Sequence, residues 1–183
     1  MENTLTIYLG ILLGCFIAIS WFAGSDAPFI PTKIELIKKV LRVAGVKKGK
    51  KFYELGSGDG RVVLEAARMG AESMGIEQSV IRVLYSKFMA RKLNLKNSHF
   101  LHADVFNKNY SDADIVYIYL LPKGVNKLEQ KLKKELKKES VVITQAFHFS
   151  KWKPFKKIEP TDIEKGLLKK DIKGAGSFWL YRI

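Results

Sequence analysis

The stretch Glu54-Leu55-Gly56-Ser57-Gly58-Asp59-Gly60-Arg61 is where residue type and spacing could do chemistry. It follows a short apolar run over 51–53 and precedes a helical pattern over 62–69, so it reads as strand, glycine turn, helix. Glycines at alternate positions let the backbone take positive φ and let a ligand approach with no Cβ in the way, while the helix behind them offers unpaired N–H groups. That is a nucleotide-type binding turn.

The spacing selects among ligands. G-x-G-x-G is one residue shorter than the dinucleotide fingerprint G-x-G-x-x-G, which argues against NAD. Glu54, two residues before the first glycine, would repel a pyrophosphate and suits a ligand that carries an ammonium group. S-adenosylmethionine has such an ammonium and no phosphate.

Two further acids recur at equivalent places. A short apolar run over 73–76 ends at Glu77, 17 residues beyond Gly60, and a run over 100–103 ends at Asp104. In a doubly wound sheet ligands lie beyond the carboxyl ends of the strands, where an acid after the second strand can accept both ribose hydroxyls. Asp104 could accept the exocyclic amine of an adenine, or cap the turn that follows it. His99 and His102 alternate with Phe100 and Leu101 and are assigned no role.

The elements needed to position these residues follow the same order. Thr32 and Glu35 form a capping box for an amphipathic helix carrying Ile34, Ile37, Leu41 and Ala44, which ends at Gly45. The first strand covers 51–55, and a helix over 79–93 sets Val80, Val83, Leu84, Phe88 and Leu93 on one broad face. The run 114–121 is near-continuously apolar, as expected of a buried central parallel strand, and leads into Tyr119-Leu120-Leu121-Pro122. A lysine-rich helix over 123–136, a strand over 140–145, an aromatic loop over 146–154 and a closing hairpin around Gly174-Ala175-Gly176 complete the chain.

Ahead of this domain lies a different kind of segment. Residues 4–23 carry no charge, and twenty residues at about 1.5 Å each match the ~30 Å hydrocarbon thickness of a bilayer. We expect a transmembrane anchor over 1–24, a linker over 25–32 and the soluble domain over 33–183. All 32 basic residues fall in that domain against 16 of the 18 acidic ones, a balance of +16, so the positive-inside rule predicts a single-pass protein with its C-terminal domain cytoplasmic. The single cysteine, Cys15, excludes an intramolecular disulfide and a cysteine metal cluster, and no metal is expected.

From about Ala27 onward the chain resembles a class I S-adenosylmethionine-dependent methyltransferase. It is similar, more narrowly, to the small protein lysine methyltransferases that include the mitochondrial ATP synthase c-subunit lysine methyltransferase and its archaeal relatives. The resemblance rests on Pro28-Phe29-Ile30-Pro31-Thr32, the glycine motif 54–61, Gly75-Ile76-Glu77, Ala103-Asp104, Tyr119-Leu120-Leu121-Pro122 and the segment 149–154 around Trp152. No Asn-Pro-Pro-Tyr type motif follows the fourth strand. The implied fold is α/β and Rossmann-like, a mostly parallel doubly wound sheet with an antiparallel C-terminal hairpin, preceded by one transmembrane helix.

By that resemblance Glu54, Gly56, Ser57, Gly58 and Gly60 hold the methionine part of the cofactor, Glu77 the ribose and Asp104 the adenine, while Tyr119, Pro122 and Trp152 line the substrate. The implied partner is a protein with a lysine acceptor, membrane proteins included. Methyl transfer to an amine needs proximity and desolvation more than side-chain acid or base chemistry, so no dedicated catalytic base is expected. The charge of the domain suits an anionic leaflet, a substrate with acidic surroundings, or nucleic acid. An RNA methyltransferase and an inactive cofactor-binding membrane protein are the alternatives.

Overall fold

The computed structural model of the chain describes residues 2–22, 30–160 and 176–183. Helix α1 (Glu2–Phe22) is followed by α2 (Ile34–Val43), β1 (Lys51–Leu55), α3 (Arg61–Arg68), β2 (Glu72–Glu77), α4 (Val80–Lys92) and β3 (Ser98–His102). Then come β4 (Ile115–Ile118), α5 (Pro122–Glu135), β5 (Val141–Gln145), β6 (Lys156–Ile158) and β7 (Phe178–Arg182).

The seven strands form one sheet in the order β3-β2-β1-β4-β5-β7-β6. Strands β1 to β5 are parallel, and β7 runs antiparallel to both β5 and β6. The chain winds outward from β1 through β2 to β3, then returns to place β4 on the other side of β1. The carboxyl ends of β1 and β4 therefore flank the topological switch point, where open α/β sheets bind ligands.

Period-two alternation along the strands builds two apolar layers. Phe52, Ile115, Tyr117, Ile143, Phe178 and Leu180 face α2 and α3. Tyr53, Leu55, Val116, Ile118 and Val142 face Val125, Leu128 and Leu132 of α5. With helices on both faces the central strands are buried on both sides, which explains why β4 reads as an unbroken apolar run.

Several expectations shift. The run expected as a strand over 114–121 pairs only at 115–118, and Tyr119 and Leu120 leave the sheet toward its ligand-binding edge. The expected capping box does not form: Lys33 is the N-cap of α2 and makes no side-chain cap, because the Thr32 hydroxyl donates to Gln145 instead. Gly45, at φ 82, does terminate α2, in the left-handed region where glycine carries no Cβ penalty. The closing hairpin is present as the β6–β7 pair, while Gly174 and Ala175 lie outside the described residues, as does the linker from 25 to 29.

The face of α4 is also corrected. Its buried side is Arg82, Val83, Ser86 and Ala90, so Val80, Leu84 and Phe88 point outward. The expected membrane span is not found: among the described residues no helix is long and apolar enough to cross a membrane. The side chains of α1 are described for residues 4–15. Helix α1 touches α4, and its described side chains are exposed.

Candidate functional site

A cavity of about 810 Å³ opens at the carboxyl edge of the sheet, within the ~300–1,000 Å³ range of small-molecule sites. Its floor is the turn between β1 and α3. Gly56, Gly58 and Gly60 all take positive φ there, at 82, 53 and 78. A Cβ on Gly60 would lie 2.7 Å from both the Phe100 ring and the Ser86 hydroxyl, so glycine is required by space as well as by conformation. The amides of Gly56 and Ser57 both donate to the Ile76 carbonyl, at 2.9 and 3.0 Å, which ties the turn to the end of β2.

Glu54 lies in β1 with its carboxylate on the cavity wall. Its Oε2 is buried and has no hydrogen-bond partner. Burial pushes this carboxyl well above the usual range, and the nearby charge of Asp59 adds to that. The Val63 amide pulls the other way, Glu77 pushes up again and Arg61 opposes it. An acid left in this condition lacks a cationic donor. The Ser57 hydroxyl on the same wall is buried and equally without a partner.

Glu77, at the end of β2, also lines the cavity. Its Oε2 accepts from the Gly58 amide and its Oε1 from the Ser79 amide, both at 2.9 Å, and Arg82 Nη1 stands 3.7 Å from Oε1. The carboxylate thus holds the glycine turn and the start of α4 together. Asp104 does not line the cavity, although Val105 and Phe106 after it do, and its Oδ1 accepts from the Phe106 amide at 2.9 Å. That is the turn role weighed for it from sequence.

The substrate-lining candidates separate. Tyr119 is on the wall, and its hydroxyl is buried without a partner, burial pushing the phenol up. Pro122 is the first residue of α5 and does not line the cavity, although its neighbours Leu121 and Lys123 do. Trp152 is not in the cavity: it stacks on Phe149 at 5.3 Å and 10°, packs on Tyr181 and carries Lys133 over its ring. The reason is Glu129 of α5, whose buried carboxylate accepts from the amides of Ser150 and Lys151 and draws that loop onto the helix.

Residues missed from sequence close the front of the cavity. Arg61 forms an ion pair with Asp59 and donates to the Thr32 carbonyl at 3.1 Å, holding 30–32 across the turn. The Thr32 hydroxyl reaches the Gln145 side-chain oxygen at 3.0 Å, and that oxygen also accepts from the fully buried Tyr117. Ala146 then takes φ 65, a strained choice for a non-glycine residue of ~1–2 kcal/mol, and Phe147 after it lines the cavity. No signal within a short window joins Thr32 to a residue 113 positions away.

The site therefore offers an unpaired buried carboxylate oxygen for a cation, a glycine floor that permits close approach, an apolar slot at Val105 and Phe106, and a lone hydroxyl at Tyr119. These features fit S-adenosylmethionine, whose amino-acid end is cationic and whose adenine is flat and largely apolar. Among the described residues no group of three or more His, Cys, Asp or Glu could hold a metal ion.

The chain is similar to known methyltransferases. The ATP synthase c-subunit lysine N-methyltransferase of Homo sapiens is 32% identical over 128 residues, covering 69% of this chain and 54% of that protein. The chain spans about half the length of the vertebrate c-subunit enzymes that it matches. A protein-lysine N-methyltransferase of Saccharolobus islandicus (strain REY15A) is 28% identical over 138 residues, 74% of this chain and 86% of that one. Among solved structures, an RNA methyltransferase from Salinibacter ruber in complex with S-adenosyl-L-homocysteine superposes with a TM-score of 0.73 at 29% identity, over 84% of this chain and 94% of that one. Residues 54–156, more than half of the chain and spanning Glu54, the glycine turn, Glu77 and Tyr119, match the ANTKMT methyltransferase domain, and the chain belongs to that family.

Proposed function

We propose that the protein transfers the methyl group of S-adenosylmethionine to the side-chain amine of a lysine in a protein substrate at a membrane. The observation that carries this reading is the buried, unpartnered Oε2 of Glu54, set on the cavity wall beside the glycine turn. When bound, the cofactor supplies a methyl group made electrophilic by its sulfonium.

The chain's own residues do the rest. Glu54 would hold the cofactor's ammonium, which would give its unpartnered buried oxygen a charge-assisted hydrogen bond. Glu77 keeps the turn in shape through Gly58 and presents its remaining lone pairs to the ribose. The strap 30–32 and Phe147 shield the front, and water exclusion favours the neutral form of an entering amine. The Tyr119 hydroxyl accepts an N–H from that amine and turns its lone pair toward the methyl carbon, an orientation effect rather than proton abstraction. Asp104 supports the adenine slot through the turn that places Phe106.

The lysine-specific part of the reading draws on the c-subunit and archaeal lysine methyltransferases. Its membrane part draws on the positive balance of the domain after residue 32, which suits an anionic membrane surface. A second reading, RNA methylation, is favoured by a net charge of +14 and by the Salinibacter ruber structure. One experiment separates them. Membranes and total RNA of the source cell are incubated with the protein and methyl-labelled cofactor, and the product is hydrolysed. Methyl-lysine supports the proposal; label that nuclease removes and protease does not would replace it with the RNA reading.

A further inference from the structure

The outward face of α4 is unusual for a helix packed on a sheet. Val80, Leu84 and Phe88 recur every four residues, so they form one stripe, and they are 50%, 60% and 58% exposed even with α1 against the helix. The cause lies on the inner side. There Arg82 reaches Glu77 and Ser86 approaches the Gly58 carbonyl, so the sheet-facing side is committed to holding the site and is too small and polar to take the bulky residues.

The charged residues along the stripe are all basic. Lys87 and Arg91 follow Leu84 and Phe88 by three residues, Lys92 lies on the other flank, and all three are exposed with no ion pair among the described residues. Helix α4 contains no acidic residue, and residues 4–15 of the adjoining α1 contain no charge at all. An apolar stripe with basic borders is the pattern of a helix lying in a membrane interface, its apolar side among the acyl chains and its cations at anionic headgroups. A protein partner of the same fit would require an apolar groove rimmed by acids.

We propose that the α4 face, through Val80, Leu84 and Phe88 with Lys87, Arg91 and Lys92, docks on an anionic bilayer surface. The stripe begins at Val80, three residues after Glu77, so docking sets the cofactor edge of the sheet close to the headgroups. This names the contact surface for the membrane part of the proposed function and rests on it.

The test uses the full chain with Cys15→Ser and a single fluorescent label at Phe88→Cys, with Lys134→Cys on the exposed side of α5 as the reference position. Vesicles contain phosphatidylcholine with or without phosphatidylglycerol, plus nitroxide-labelled lipid as quencher, and flotation reports binding separately. The expected result is quenching at position 88 well above position 134, dependent on phosphatidylglycerol. With Lys87→Gln, Arg91→Gln and Lys92→Gln the docking equilibrium falls by about 100-fold and quenching drops to the reference level. A label at Leu84→Cys repeats the measurement should the first variant fold poorly.

Flotation without quenching at 84 or 88 would overturn the docking face while leaving membrane association in place. Failure to float with anionic vesicles would overturn both. Energy transfer between labels on separate molecules at 88, without quenching by lipid, would replace the bilayer with a second copy of the chain.

Discussion

The amide of Gly58 donates to Oε2 of Glu77 at 2.9 Å, joining the middle of the glycine turn to the end of β2. The same carboxylate receives the Ser79 amide and faces Arg82, so one side chain shapes the cofactor floor and starts α4. Replacing it by Glu77→Gln takes away one of the two carboxylate acceptors and the charge that faces Arg82. We expect a loss of about 3 kcal/mol in urea unfolding, together with weaker cofactor binding. A change below ~0.5 kcal/mol would show that the turn holds itself.

Stability should fall as pH rises above the ordinary carboxylate range. The folded protein holds the Glu54 carboxyl well above its unfolded value, so below the unfolded pKa its contribution is fully present. As pH climbs toward the raised value, the folded state binds more protons than the unfolded one and stability declines. Saturating cofactor, by supplying a cation to Glu54, should flatten this slope, and Glu54→Gln should remove it. Thermal unfolding across that window, with and without cofactor, reads both effects.

Gly60→Ala should destabilise the fold by about 2–4 kcal/mol. The new Cβ would lie 2.7 Å from the Phe100 ring at a φ of 78, combining overpacking with a disfavoured backbone conformation. An alanine tolerated here with no loss in a denaturation midpoint would mean that the turn adopts another shape.

Tyr119 and Trp152, equal candidates for the substrate wall from sequence, should behave in opposite ways. Tyr119→Phe removes a buried hydroxyl that has no partner, so stability should hold or rise slightly while the rate of transfer falls. Trp152→Ala empties the contact with Phe149 and Tyr181 and should cost about 3–5 kcal/mol, leaving the Michaelis constant of the folded enzyme unchanged. Denaturant midpoints and initial rates on the same samples separate the two.

Local pattern carried much of this into view. The glycine spacing, Glu54 before it, Glu77 at a strand end and the near-continuous apolar strands are short-range signals that depend on neighbours in the chain. What escaped depends on distant partners. Thr32 reads as a helix cap until Gln145, 113 residues on, offers a better acceptor. Trp152 reads as a wall residue until Glu129 draws its loop onto α5. The α4 pattern marks which residues share a face but not which face turns inward, because that was decided by Glu77 and Gly58 recruiting Arg82 and Ser86.

Calorimetry with two ligands and two proteins puts the role of Glu54 to its sharpest test. S-adenosylhomocysteine carries the amino-acid end, methylthioadenosine lacks it, and each is titrated into the native protein and into Glu54→Gln. We expect the native protein to prefer S-adenosylhomocysteine by at least about tenfold, the scale of a charge-assisted hydrogen bond, and the preference to disappear in Glu54→Gln. An undiminished preference in the variant would contradict the assignment of the cofactor's ammonium to Glu54.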